Sequence, residues 1–245
     1  MDLQTHRQKI KLTHQHFLLM KNINWKKEVV IWVAILAPFI YSIYIWNQLP
    51  DQVPTHWNIK GEVDDNSGKA FALFLLPAMN VFIYFVLLFI PRIDPRYQHY
   101  KLFGSSYQNI RMIIHIFFVG VFAFVIHASL TNNAGGINFL MAGMGLFFAL
   151  LGNYMRTVRS NWFVGIRTPW TLSNEEVWRK THLLGGRIWF YGGLVIAVTC
   201  LFLPEAAAGI FLFCGVGVMA LVPVIYSYIE YRRINQSSSE NKNAG

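Results

Sequence analysis

The sequence predicts an all-α polytopic membrane bundle of six transmembrane helices with both termini in the cytoplasm, and three observations predict it. Charged residues make up 13% of the 245-residue chain and hydrophobic ones 54%, whereas a soluble domain carries about a quarter charged. The apolar residues fall in six blocks, 29–46, 71–90, 112–130, 137–152, 188–203 and 206–228. Each is close to the roughly 20 residues that a helix needs to cross about 30 Å of hydrocarbon. Lys and Arg then alternate with the blocks. Nineteen lie in residues 1–28, 91–111, 153–187 and 229–245, and two, Lys60 and Lys69, in the other connections. The positive-inside rule turns that alternation into six spans with cytoplasmic ends.

Taken in order, residues 1–28 form a basic cytoplasmic segment with Phe17–Met20 set among its cations. That stretch reads either as an interfacial helix on the inner leaflet or as part of a disordered tail. It is not a cleaved signal peptide, because polar and basic residues precede the first apolar block and no small-x-small site follows it. The six-span domain occupies 29–230, with an outer loop at 47–70 and an inner loop at 153–187. The Ser/Asn/Lys-rich residues 231–245 read as a disordered cytoplasmic tail. Gly143, Gly145, Ala149 and Gly152 in span four, and Gly192, Gly193, Gly215 and Gly217 in spans five and six, allow close helix packing. Cys200 and Cys214 lie inside spans and read as buried apolar thiols without a disulfide.

The residues offer little to an enzyme. There is no His-Glu-x-x-His and no Gly-x-Ser-x-Gly, and every acidic residue lies at a span end or in a connection. No catalytic residue, metal site or cofactor is therefore expected. The intramembrane polar residues are Asn80, His115 and His127. The two histidines are 12 positions apart, about 18 Å along a helix, so they cannot share a metal. Each either hydrogen-bonds within the bundle or near an interface, or serves a proton or ligand. Asn80 reads as an interhelical hydrogen-bonding residue.

Two connections are too long to be turns, and function is expected there. The outer one holds Leu49-Pro50, Pro54-Thr55-His56-Trp57, Gly61 and Asp64. Its Asp51, Glu62, Asp64 and Asp65 outweigh Lys60 and Lys69, for a net charge of −2. It suits either a cationic peptide or metal ion outside, or a rigid cap on the bundle. The inner connection carries Asn161-Trp162-Phe163-Val164-Gly165-Ile166-Arg167-Thr168-Pro169-Trp170-Thr171-Leu172-Ser173, then Glu176-Val177-Trp178 and Thr181-His182. Ser173 and Glu176 have capping-box spacing, which predicts a short helix from about Asn174 with Val177, Trp178, Thr181 and His182 near one face. Gly185-Gly186 is expected to turn the chain into span five. The interleaved Trp and Arg residues fit an aromatic, basic re-entry along the inner leaflet or a protein-binding surface. Direct nucleic-acid binding is not expected.

These two loops resemble the SdpI-like family of bacterial membrane proteins, named for the immunity protein against the SDP peptide toxin. The outer motif, from Leu49 to Asp64, is similar to the short domain of unknown function near the start of many members. The inner motif, from Asn161 to His182, is similar to the family's main signature. The resemblance covers roughly residues 29–230 and leaves the basic N-terminal segment unplaced. It implies immunity to a secreted membrane-active peptide. It also implies signalling, in which a cognate DNA-binding repressor is held at the membrane while toxin is present.

The expectation is thus a non-enzymatic protein of the bacterial plasma membrane, partnered by lipid, by a peptide toxin outside and by a repressor inside. Pro54, His56, Trp57, Gly61 and Asp64 would contact the toxin. Asn161, Trp162, Gly165, Arg167, Thr168, Pro169, Trp170, Ser173, Glu176, Trp178 and His182 would transmit occupancy or meet the regulator. The alternatives are a small-molecule or ion transporter, with Asn80 and His115 on its path, and a structural protein of an envelope complex.

Overall fold

A computed structural model of the chain describes residues 24–58, 62–131 and 136–243, with side chains through 237. The expectations for Phe17–Met20 and for Gly61 lie outside those residues. Six long helices carry the architecture: α1 (Trp25–Ile45), α2 (Lys69–Ile93), α3 (Tyr100–Thr131), α4 (Ile137–Met155), α6 (Glu175–Thr199) and α7 (Glu205–Asn243), with the single-turn α5 (Pro169–Ser173) before α6. Five of the six are long and apolar enough to cross a membrane; α6 is the exception, because its first half is polar. The protein is an all-α polytopic membrane protein. Rings such as Phe82, Phe139, Phe202 and Phe213 are 67–82% exposed on its flanks, a surface suited to lipid and costly in water.

The outer loop departs from all-helix. Gln52–Trp57 (β1) and Val63–Gly68 (β2) pair antiparallel, with a bulge-like register shift around His56. Val53 and Pro54 are buried beneath it, and the Trp57 ring packs edge-on against Phe124 of α3, centroids 5.1 Å apart. Lys69 at the start of α2 bridges to Asp51 at 2.9 Å. The hairpin therefore caps one end of the bundle, and the 156–173 segment lies at the other.

Helices α1, α2 and α3 form one group and α4, α6 and α7 another, joined where α3 meets α4. The tightest seam is α4 on α6. A Cβ on Gly145 would stand 2.5 Å from the Ala197 nitrogen, one on Gly152 2.5 Å from the Phe190 nitrogen, and one on Gly193 2.5 Å from the Ala149 nitrogen. These backbones touch, as the spacing of small residues predicts. Gly143 and Gly217 face open space and take no part.

Four expectations are corrected. Gly185-Gly186 makes no turn: both lie inside the continuous α6, where added Cβ atoms would strike Ile166 and the Arg156 stem. The pair is small to admit neighbours, not to bend the chain. Asn174, rather than Ser173, caps α6, accepting from the amides of Glu176 (2.8 Å) and Val177 (3.1 Å). Ser173 instead donates to the Trp170 carbonyl. The expected disordered tail is helical, since α7 continues to Asn243. Finally, Cys200 is buried but Cys214 is exposed, and both thiols are free.

The seam yields a paired test. Gly145→Ala should lower the thermal midpoint in detergent, an overpacking cost of about 1–3 kcal/mol. Gly143→Ala on the same helix should leave it unchanged or raise it, as Ala is the better helix former. Equal midpoints for the two variants would contradict the close-packed seam.

Candidate functional site

The 156–173 segment is irregular backbone at the end of a membrane bundle, where each buried polar group needs a partner from the protein. Asn161, fully buried, supplies several. Its Oδ1 accepts from the amides of Phe163 (2.9 Å) and Val164 (2.7 Å). Its Nδ2 donates to the carbonyls of Arg159 (2.8 Å) and Val164 (2.9 Å). One side chain thus stands in for a turn of secondary structure.

Asp94, at the end of α2 and 2% exposed, ties this loop to the first helix group. Its Oδ2 accepts from the Trp162 amide (2.9 Å) and the Tyr100 hydroxyl (3.0 Å), and its Oδ1 from the Arg96 amide (2.7 Å). The Arg96 guanidinium bonds the Ser160 hydroxyl and the Leu172 carbonyl, and sits 5.9 Å from the Trp162 ring centroid. His99 Nδ1 meets the Ser160 carbonyl at 2.6 Å. Arg167 remains exposed and donates back to the Trp162 carbonyl at 2.7 Å.

Helix α6 fixes the other side. Trp178 is buried and donates through Nε1 to the Val158 carbonyl at 2.9 Å. His182, one turn later, stacks on the Trp178 ring with centroids 4.0 Å apart. Its Nε2 accepts from the Ile166 amide at 3.0 Å, which leaves Nδ1 to carry the hydrogen donated to the Trp178 carbonyl at 2.8 Å. That pattern requires neutral imidazole, and burial pushes the His182 pKa down to about 4. Gly165 completes the contact. Its φ of +112° is the left-handed region that favours glycine, and a Cβ there would collide with His182 Nε2.

The remaining inner residues serve α5 and its seat on α7. Thr168 caps α5 and lies 3.0 Å from the Ser227 hydroxyl. Thr171 Oγ1 accepts from the Thr168 amide and donates to the Ile166 carbonyl, each at 2.9 Å. Pro169 occupies the first turn, where a missing N–H costs nothing. The Trp170 ring packs on Tyr228 at 5.0 Å. Lys180 joins exposed Glu176 (3.0 Å) to buried Glu230 of α7 (2.5 Å). The two carboxylates raise its pKa.

The outer residues form no comparable centre. His56 and Asp64 pair across the hairpin at 2.5 Å and are exposed, while Pro54 and Trp57 serve packing. Of the intramembrane residues, His115 is wholly buried and bonded through Nδ1 to Asn80 Oδ1 at 2.6 Å, and Asn80 Nδ2 reaches the Ala34 carbonyl. His127 is exposed, at the edge of a groove between α1 and α3 that also takes in Tyr41 and Tyr44.

Sequence reasoning missed the partners from other segments. Asp94 is the sole acid of the 91–111 connection, which is a signal once basic surroundings are noted. Glu28, assigned to the basic tail, lies in α1, is 3% exposed, and pairs with Arg111 at 2.6 Å beside Tyr84. Buried ion pairs of this kind stay because either partner alone would be stranded.

The fold and this locked loop define a class: a multi-pass membrane protein whose longest irregular connection is built into its bundle. Residues 157–227 match the SdpI/YfhL protein family, and residues 33–81 match a domain of unknown function, DUF1648. The chain is 26% identical over 213 residues to Immunity protein SdpI of Bacillus subtilis (strain 168), covering 86% of this chain and 99% of that protein. The resemblance read from the two motifs therefore holds, and the protein is a multi-pass protein of the cell membrane. No solved structure matches the chain significantly.

The His182 geometry sets a pH dependence. Unfolded His titrates near 6.5 and folded His182 near 4, so between those values the unfolded chain binds the extra proton and stability falls as pH falls. The difference in unfolding free energy between wild type and His182→Gln, in detergent, should shrink by up to about 3 kcal/mol from pH 7 to pH 4. A difference that stays constant over that window would contradict a neutral, locked His182.

Proposed function

We propose that this chain is a non-catalytic immunity protein that protects a membrane against a secreted peptide toxin. The observation that carries this is the likeness to Immunity protein SdpI, which runs through 99% of that protein's length. In this reading the chain crosses the membrane six times with both ends in the cytoplasm, the fifth crossing being made by the 188–199 part of α6 and the turn that follows it. The hairpin, with His56 and Asp64 exposed beside further acids, then faces outward and meets a cationic or amphipathic peptide. The 156–173 loop faces inward.

A sensing role is part of the proposal. A ligand transmits only by favouring one arrangement of the bundle over another. The inner loop is bonded to α2 and α3 through Asp94 and Tyr100, to α6 through Trp178 and His182, and to α7 through Thr168. A shift of either helix group would therefore move it. Exposed Arg167 and Trp162 are the groups through which a bound DNA-binding repressor would read that shift.

The test is survival of a toxin-sensitive bacterium challenged with SDP-type peptide, with and without this chain in its membrane. Protection is expected. No protection with insertion verified would overturn immunity to that peptide. Arg167→Ala should abolish toxin-dependent reporter induction while leaving insertion intact, and unchanged induction would remove the inner loop from signalling.

A further inference from the structure

Beside the locked loop lies an open cavity of about 870 Å³ whose lining includes three exposed arginines, Arg156, Arg159 and Arg179. Each is set on a fixed backbone. Arg156 follows the last residue of α4, and its stem lies where Gly186 leaves space; a Cβ on that glycine would strike Arg156 Cγ. Arg159 is held between two anchored neighbours, Val158 through Trp178 Nε1 and Ser160 through His99 and Arg96. Arg179 is carried by α6 next to buried Trp178. Two carboxylates share the lining. Glu176 is taken by Lys180 at 3.0 Å and also feels Arg179, which leaves Glu175 against three arginines. Among the described residues, Arg156 and Arg159 make no ion pair.

We propose that this cavity binds a phosphate-bearing anion, held by Arg156, Arg159 and Arg179. Guanidinium donors in a fork match phosphate oxygens in pairs, and the three stems start from backbone that the bundle already holds. Basic pockets between helices at a membrane face receive lipid headgroups. An anionic lipid and free phosphate present the same chemistry here, and only the lipid is tethered beside the site. The site is independent of the immunity reading, since nothing in it requires a toxin.

The experiment uses the full chain in nanodiscs of phosphatidylcholine with or without phosphatidylglycerol, with retained lipid read by native mass spectrometry and inorganic phosphate binding by titration calorimetry. Wild type is expected to retain phosphatidylglycerol at least tenfold better than the double variant R156Q/R159Q. Glutamine keeps part of the packed stem of Arg156, and circular dichroism checks that the double variant stays folded. Displacement by inorganic phosphate, or phosphate binding in phosphatidylcholine alone that the double variant loses, assigns the site to a soluble phosphate and supports the same chemistry. Binding of neither probe would overturn the proposal. So would retention unchanged in R156Q/R159Q, or an equal loss in R232Q/R233Q, which removes the same charge elsewhere.

Discussion

Buried backbone in an irregular segment has no water to satisfy it, so the buried part of the stretch between Arg156 and Thr168 must take its hydrogen bonds from the protein. Asn161, Asp94 and His182 meet that demand, and they come from the loop itself, from α2 and from α6. Because Asp94 and His182 belong to separate helices, the loop gains its full set of bonds only in the closed bundle. The bundle in turn cannot rearrange without disturbing the loop. Stacking of His182 on Trp178 and the left-handed Gly165 beneath it make the fit narrow. The packing of α4 on α6 follows from the same constraint, since it sets α6 where Trp178 and His182 reach the loop.

The sequence revealed the parts that depend on local pattern. Apolar blocks located the long helices, and small residues in spans four and five marked the seam that the structure closes. Val177, Trp178, Thr181 and His182 share the buried side of α6 as their spacing predicts. The two loops were singled out by length and composition, and the inner one became the centre of the structure. What stayed hidden depends on distant partners. Glu28 and Arg111 are 83 positions apart, and no periodicity links them. Asp94 meets Trp162 across 68 positions. Gly185-Gly186 misled because glycine pairs serve both turns and close approaches, and only the neighbours, Ile166 and Arg156, tell which. His115 and His127 read alike in sequence, yet the first is buried against Asn80 and the second is exposed, because they lie on different sides of α3.

The two ends of the molecule differ in kind. At the hairpin end, exposed carboxylates and a single exposed His–Asp pair make a soft, solvated surface. Exposed pairs of this type contribute little stability. At the other end, Asn161, Asp94 and His182 are buried and hydrogen-bonded, and Arg156 and Arg159, without an ion pair among the described residues, stand exposed beside that network.

The central claim is that the inner loop is held as firmly as the helices around it, and amide hydrogen exchange of the full chain in nanodiscs tests it most directly. The Trp162, Phe163, Val164 and Ile166 amides, each bonded to a buried side chain, should exchange as slowly as amides inside α6. Exchange of these four at the rate of an open loop, with α6 still protected, would contradict the account.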